Sequence, residues 1–416
     1  MSSGNMGTTT PATETPAGQP TIQRQGRGRG PMIAAIAVVI VVILVVVVGW
    51  QAGWFKSSSS SSSTTGVTGC TLPSPGTLKG EGSTLVAPLM DQWASSYWTT
   101  MIVSYDSAGS SAGIQAVSTK VVDFGASDAP LTPQQRSNAP GILTVPESAG
   151  GVVPIYNLPS LKAPLNFNGS VLAQMFDGQI TSWNNTALQA LNPGVSLPPN
   201  NVIPVYRTGG SGTSFIFSSF LTLENPYWAL HYNKSTAWPT GLPGTGASGN
   251  GGVATTVSTT TYALGYVDLN YALTTQGIGV GSVENSHHNF IHASVLNTLS
   301  ALVDSNVTLP KGNGDWYNVS FLNAPGPNDY PITSLTYVLV YQDLSAAYST
   351  YTLNSAENLV DFLHWVLTTG QTWSGDLSYV PLPTSVTSQA NVTLNSMTFN
   401  GSPVPVCVPT GGGAPA

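Results

Sequence analysis

The stretch "RTGGSGTSFIF", residues 207–217, sets an arginine before glycines 209, 210 and 212, spaces them with hydroxyl residues, and runs straight into apolar positions. The start of a helix leaves backbone N–H groups unpaired and carries partial positive charge, so it draws anions without needing a lysine. Glycines let a ligand come up against the backbone. An arginine stands out here, because Lys and Arg together number 11 in 416 residues. Two rival readings fit less well. A nucleotide-binding P-loop needs a lysine after its glycine run, and none follows. The nucleophile elbow G-x-S-x-G is not matched around Ser211.

Two earlier segments share the design, "GEGSTLVAPL" (80–89) and "SAGSSAGIQAV" (107–117). Each alone reads more readily as an ordinary helix cap, since Ser, Thr and Gly favour such positions. Three together could surround one small anion. Between them and residue 207 lies "VDFGASDAPLT" (122–132), carrying Asp123 and Asp128. A carboxylate beside an anion trap is sensible if the anion bears a proton, because it accepts that hydrogen bond and repels an unprotonated oxyanion. "HHNFIH" (287–292) offers His288 and His292 at the i, i+4 spacing of a helical metal site, but no cysteine or acid pair accompanies them, and a solvated or capping role is favoured.

Composition bounds the rest. Hydrophobic residues make up 41% of the chain, enough for two domains with their own cores, while charged residues make up only 7%, against roughly 25% in an average soluble protein. The net charge of −7 argues against nucleic acid, which demands a basic patch. Sequons at Asn168, Asn184, Asn233, Asn306, Asn318, Asn391 and Asn400 point to a glycosylated surface facing outside the cell. A surface nearly free of charge also suits acidic surroundings. The two cysteines, Cys70 and Cys407, bracket nearly all of the folded part and favour a disulfide over idle thiols outside the cell.

Residues 1–30 are polar and Gly/Pro-rich, the composition of a disordered tail. The uncharged run from Met32 to Trp50 has the length of a bilayer-spanning helix, so 31–50 is expected to be an uncleaved single-pass transmembrane anchor. Arg24, Arg27 and Arg29 before it keep the tail cytoplasmic. The serine run after it makes 51–75 a flexible tether. Lipidation of Cys70 is the less favoured alternative. From about residue 76, strand-like apolar runs such as "GGVVPIYNL" alternate with helical patterns such as "SAENLVDFLHWVLTTG", predicting an α/β architecture.

In order along the chain, "GEGSTLVAPL", "SYDSAGSSAGI", "VDFGASDAPLT", "YNLP", "ITSWNN", "LNPGVSLPPNNVIPVYRTGGSGTSFIF", "GYVDLNYA" and "YPITSLTYVLV" resemble the phosphate-binding protein of phosphate ABC transporters. The resemblance runs from about 78 to 385. It implies a two-domain periplasmic-binding-protein (Venus-flytrap) fold whose lobes close over phosphate. Lobe 1 would comprise 76–152 and 333–390, lobe 2 would comprise 153–332, and 391–416 would be a C-terminal tail. The crossings between lobes would fall near Gly151 to Tyr156 and Ile332 to Thr336.

By the same resemblance the ligands would be the Thr84 hydroxyl, the Leu85 backbone N–H and Ser110. Asp128 would accept the phosphate proton, Arg207 would pair with the charge, and Ser211, Gly212 and Thr213 would open the third helix start. No cofactor, metal or catalysis is implied; the partners would be inorganic phosphate and a membrane permease, and the receptor a monomer. Sulfate or arsenate capture, or hydrolysis of phosphate esters, are the alternatives. Two positions depart from the family. Leu85 stands where an aromatic residue is usual, and Gly209 where an acid usually holds the arginine, so Asp128 is expected to take over orienting Arg207.

Overall fold

The computed structural model describes residues 73–97, 101–159, 161 and 164–407. The elements that build the central sheet appear in chain order as β1 (Thr77–Gly82), α1 (Ala87–Ser96), β2 (Ile102–Asp106), α2 (Ser110–Ser118), β3 (Phe124–Ser127), β4 (Ile142–Tyr156), β5 (Ile203–Arg207), α3 (Gly212–Glu224), β6 (Thr245–Ala247), α4 (Gly249–Thr259), β7 (Ala263–Asp268), β8 (Thr333–Tyr341) and α5 (Leu353–Val366). Strand followed by helix is the recurrent unit, as the alternating patterns predict. The sheet runs β2-β1-β3-β8-β4-β7-β5-β6.

Strand β4 organises the sheet. All 15 of its residues are buried, and its sequence "ILTVPESAGGVVPIY" is rich in the β-branched and apolar residues that a strand covered on both faces needs. Residues 142–151 pair with β8, and residues 152–156 pair with β7. The change of partner falls at Gly151 and Val152, where Val152 N–H donates to the Ile332 carbonyl at 2.9 Å.

Pro146 should not sit in a central strand, because it offers no N–H to the ladder. It is accommodated by a β-bulge: Pro146 faces Tyr337 and Ser148 faces Thr336, so Glu147 has no partner across the ladder. A bulge re-aims its extra residue. Here it leaves Glu147 1% exposed, with the Thr336 hydroxyl beside its carboxyl.

Around the β1–β3 half, Trp93 of α1 is fully buried and donates its indole N–H to the Gly370 carbonyl at 2.7 Å. Tyr97 packs edge-on against Phe362 and Trp365 of α5. Around the β5–β7 half, Phe217 of α3 stacks on Tyr266 of β7 with ring centroids 4.3 Å apart. Such aromatic pairs add about 0.5–1.5 kcal/mol beyond their buried area.

The segment from 391, expected as a tail, is built into the fold as far as residue 407. It completes the helix Thr384–Leu394, forms a hairpin between Thr398–Phe399 and Ser402–Pro403, and anchors Cys407 N–H on Asp361 Oδ1 at 2.7 Å. Asp361 is 2% exposed, and burial of that carboxylate needs the donor. Cys407 is disulfide-bonded; Cys70 lies outside the described residues, as do the expected cytoplasmic tail, the 31–50 span and most of the tether. Among the described residues no helix is long and apolar enough to cross a membrane.

Candidate functional site

The three glycine- and hydroxyl-rich segments all fall at the C-terminal ends of parallel strands. Residues 83–86 link β1 to α1, 107–109 link β2 to α2, and 208–211 link β5 to α3. Asp128 follows directly on β3. In open α/β sheets ligands bind beyond these strand ends, because loops and helix N-termini gather there.

In the β1–β3 half, Asp128 is held on both oxygens. Ser83 donates to Oδ1 at 2.5 Å and Ser110 donates to Oδ2 at 3.4 Å, while the Asp128 N–H donates to Ser110 Oγ at 3.2 Å. The Leu85 N–H donates to Ser83 Oγ at 2.9 Å. Two tyrosines fix the backbone of this loop: Tyr105 donates to the Ser83 carbonyl at 2.7 Å and Tyr379 to the Leu85 carbonyl at 2.6 Å. Burial pushes the Asp128 carboxyl up to about 6, although the Ser83 bond and Arg207 pull it back down.

In the β5–β7 half, Arg207 is 3% exposed. Its Nη1 donates to Thr213 Oγ1 at 3.4 Å and its backbone N–H to the Tyr266 hydroxyl at 3.3 Å, while Nε has no partner. Burial lowers the guanidinium from its ordinary range, but so strong a base stays charged. Asp128 and Arg207 lie close enough for each charge to favour the other, but among the described residues they form no ion pair, and the guanidinium donates its hydrogen bond to Thr213. Ser211 is the N-cap of α3, accepting from Ser214 N–H at 3.1 Å. That bond engages its oxygen and leaves its hydroxyl hydrogen to donate elsewhere.

The two sets of loops meet face to face. A Cβ added to Gly212 would lie 2.4 Å from Ser110 Oγ and 2.6 Å from Asp128 Oδ2, distances that atoms not bonded to each other do not sustain. Ser111 N–H donates to the Gly210 carbonyl at 3.1 Å. Gly209 adopts φ +74° with nothing within 4 Å of a Cβ position, so this turn favours glycine for its backbone and not for space.

Asn250, which the sequence reading passed over, is fully buried at the start of α4. Its backbone N–H and its Nδ2 both donate to Thr84 Oγ1, at 3.3 and 3.1 Å, and Nδ2 also donates to Thr213 Oγ1 at 3.0 Å. The signal was present in "GASGNGGVAT" (246–255), a fourth run of glycines and a serine before an apolar helix.

Charge is scarce and concentrated. Glu147 is driven up to about 8 by burial and by Asp128, and Asp268 of β7 lies well above the usual carboxylate range, chiefly through burial. Thr84, Ser110, Asp128, Arg207, Ser211 and Thr213 are all buried. The histidine pair does not share a helix: residues 285–289 form a turn, His288 has φ +58° and bonds to Glu284 at 2.9 Å. No metal-holding cluster occurs among the described residues. Of the sequons, Asn184, Asn233, Asn306, Asn318 and Asn400 are exposed. Asn168 and Asn391 are half-buried, with their side-chain oxygens bonded to Val171 N–H and to the His364 ring.

A family profile described as a PBP superfamily domain matches residues 59–369. The phosphate-binding protein PstS of Xylella fastidiosa is 33% identical over 323 residues, covering 75% of this chain and 83% of the relative. That of Haemophilus influenzae is 34% identical over 327 residues, covering 76% and 93%. Among solved structures, the phosphate-binding protein from Stenotrophomonas maltophilia superposes with a TM-score of 0.57 at 18% identity, covering 77% of this chain and 94% of that one. The fold is therefore the α/β fold of periplasmic binding proteins.

Proposed function

Since the chain belongs to the PBP superfamily, and within it to the family of the phosphate-binding protein PstS, we propose that it captures inorganic phosphate between two lobes and delivers it to an ABC-transporter permease. The lobes are the two halves of the sheet, hinged where β4 changes partners at Gly151 and Val152. The anion is gripped by Thr84, Arg207, Ser211, the Gly212 N–H and Thr213, joined by the Leu85 N–H and Ser110 as they exchange their bonds to Ser83 and Asp128 for the anion.

One observation carries the reading. Asp128 is a fully enclosed carboxylate among hydroxyls, helix starts and one guanidinium, with Ser83 and Ser110 already donating to it. An acceptor in a ring of donors is suited to an anion that still carries a proton, as phosphate does and sulfate does not. Arsenate shares that proton, so it is the competitor this site distinguishes least.

The placement is outside the cell, on a tether behind a single-pass N-terminal anchor. The apolar run 32–50, the sequons and the low surface charge support it. The functional form is a monomer. Calorimetric titration of the full chain with phosphate, sulfate and arsenate tests the reading. Phosphate and arsenate should release or absorb heat with one-to-one stoichiometry and sulfate should not; sulfate binding as tightly as phosphate would contradict it.

A further inference from the structure

We infer that Asn250 is a positioning residue that sets the polarity of the anion site, by turning the hydroxyl hydrogens of Thr84 and Thr213 outward as donors. The inference rests on the phosphate-receptor reading and adds to it a residue hydrogen-bonded to two of the proposed anion-gripping hydroxyls.

A hydroxyl offers one hydrogen and two lone-pair acceptor sites. Thr84 Oγ1 accepts from both Asn250 N–H and Asn250 Nδ2. Thr213 Oγ1 accepts from Asn250 Nδ2 and Arg207 Nη1. With both acceptor sites taken, each hydroxyl can engage a further group only by donating. An anion needs donors, and these two are committed to that role before it arrives.

The amide cannot be reversed. Asn250 Oδ1 accepts the Asp268 N–H at 3.1 Å, so the NH2 face must look toward the two threonines. The anchor is rigid, because Asp268 caps the next helix by accepting from Asn270 N–H at 2.9 Å. The same amide joins β1–β3 material, Thr84, to β5–β7 material, Thr213 and Asp268. Thr84 therefore acquires its fixed polarity only when the two halves are together, which couples closure to formation of a donor-only wall.

The test is a set of phosphate titrations on the full chain, with ligand-free melting curves, for the unmodified protein, Asn250→Ala, Asn250→Asp, Thr213→Val and the Asn250→Ala/Thr213→Val pair. Asn250→Ala should weaken phosphate about tenfold or more, the size of a lost charge-assisted bond. Asn250→Asp keeps the size and the acceptor for Asp268 N–H but loses the NH2, and should weaken binding at least as much. In the Thr213→Val background the cost of Asn250→Ala should shrink, because the amide has one hydroxyl fewer to orient.

An unchanged affinity in both single variants would overturn the inference, and so would an Asn250→Ala cost that is the same with and without the Thr213 hydroxyl. Loss of a cooperative melt in both Asn250→Ala and Asn250→Asp would assign the amide to folding and overturn it as well. If the unmodified chain does not bind phosphate, the receptor reading itself fails; if it binds and the variants match it, only the role of Asn250 does.

Discussion

Gly212 approaches Asp128 so closely that a single added methyl group would lie 2.6 Å from the carboxylate oxygen. The first residue of α3 and the residue after β3 thus come from opposite halves of the sheet and meet with no room for a side chain. Gly212→Ala should prevent this closure and lower phosphate affinity by about 100-fold or more, since the loss of more than one charge-assisted bond is involved. Calorimetry reads the affinity, and small-angle scattering should show the alanine variant equally extended with and without phosphate. An affinity within a factor of about two of the original would mean that the contact is not needed for binding.

Asp128→Asn replaces an acceptor-only group by one that also donates. Phosphate affinity should fall roughly 10- to 100-fold, while sulfate affinity should hold or rise, narrowing the selectivity. A variant that keeps the original ratio of the two affinities would remove Asp128 from its proposed role.

Gly209 stands where the family usually has an acid. Gly209→Asp has open space but must adopt φ +74°, a conformation that aspartate tolerates better than most residues. It would add a negative charge near a site that already holds the Asp128 carboxylate, so phosphate affinity at low salt should fall or barely change. A large gain, read by the same titration, would show that Arg207 lacks the restraint it needs.

The buried acids make ligand-free stability depend on pH. Asp128 and Glu147 are raised from 3.8 to about 6 and from 4.5 to about 8, in both cases chiefly by burial. Folding then favours the protonated forms, so their contribution is complete below about pH 4 and is lost as pH climbs through the folded values. The melting temperature should drop by roughly 5 °C or more between about pH 4 and about pH 8. Glu147→Gln should flatten that slope and raise the midpoint at the alkaline end. A midpoint that rises with pH would contradict the assignment.

Much of this was legible in local pattern. The loops at 80–89, 107–117 and 207–217 carry their own signature, because glycines and hydroxyls before an apolar helix are a short-range device, and they do stand at strand ends around Asp128. What could not be read depends on contacts between distant parts of the chain. Asn250 and Thr84 are 166 positions apart, and nothing in either segment names the other. Ser83 was inside a quoted segment, yet its bond to Asp128 follows from the parallel pairing of β1 with β3. The bulge at Glu147 is set by the register of β8, and the support of Arg207 by Thr213 follows from how α3 begins. The order of the chain from 391 to 407 depends on Asp361 and on a hairpin, contacts that its local sequence does not announce.

The most direct test is a competition titration on the full chain at neutral pH, with phosphate alone, sulfate alone, and phosphate in the presence of excess sulfate. The proposed site predicts one phosphate bound per chain, no heat from sulfate, and a phosphate affinity that excess sulfate leaves unchanged apart from ionic strength. Displacement of phosphate by sulfate, or no phosphate binding at all, would contradict a receptor that selects its anion through the proton held by Asp128.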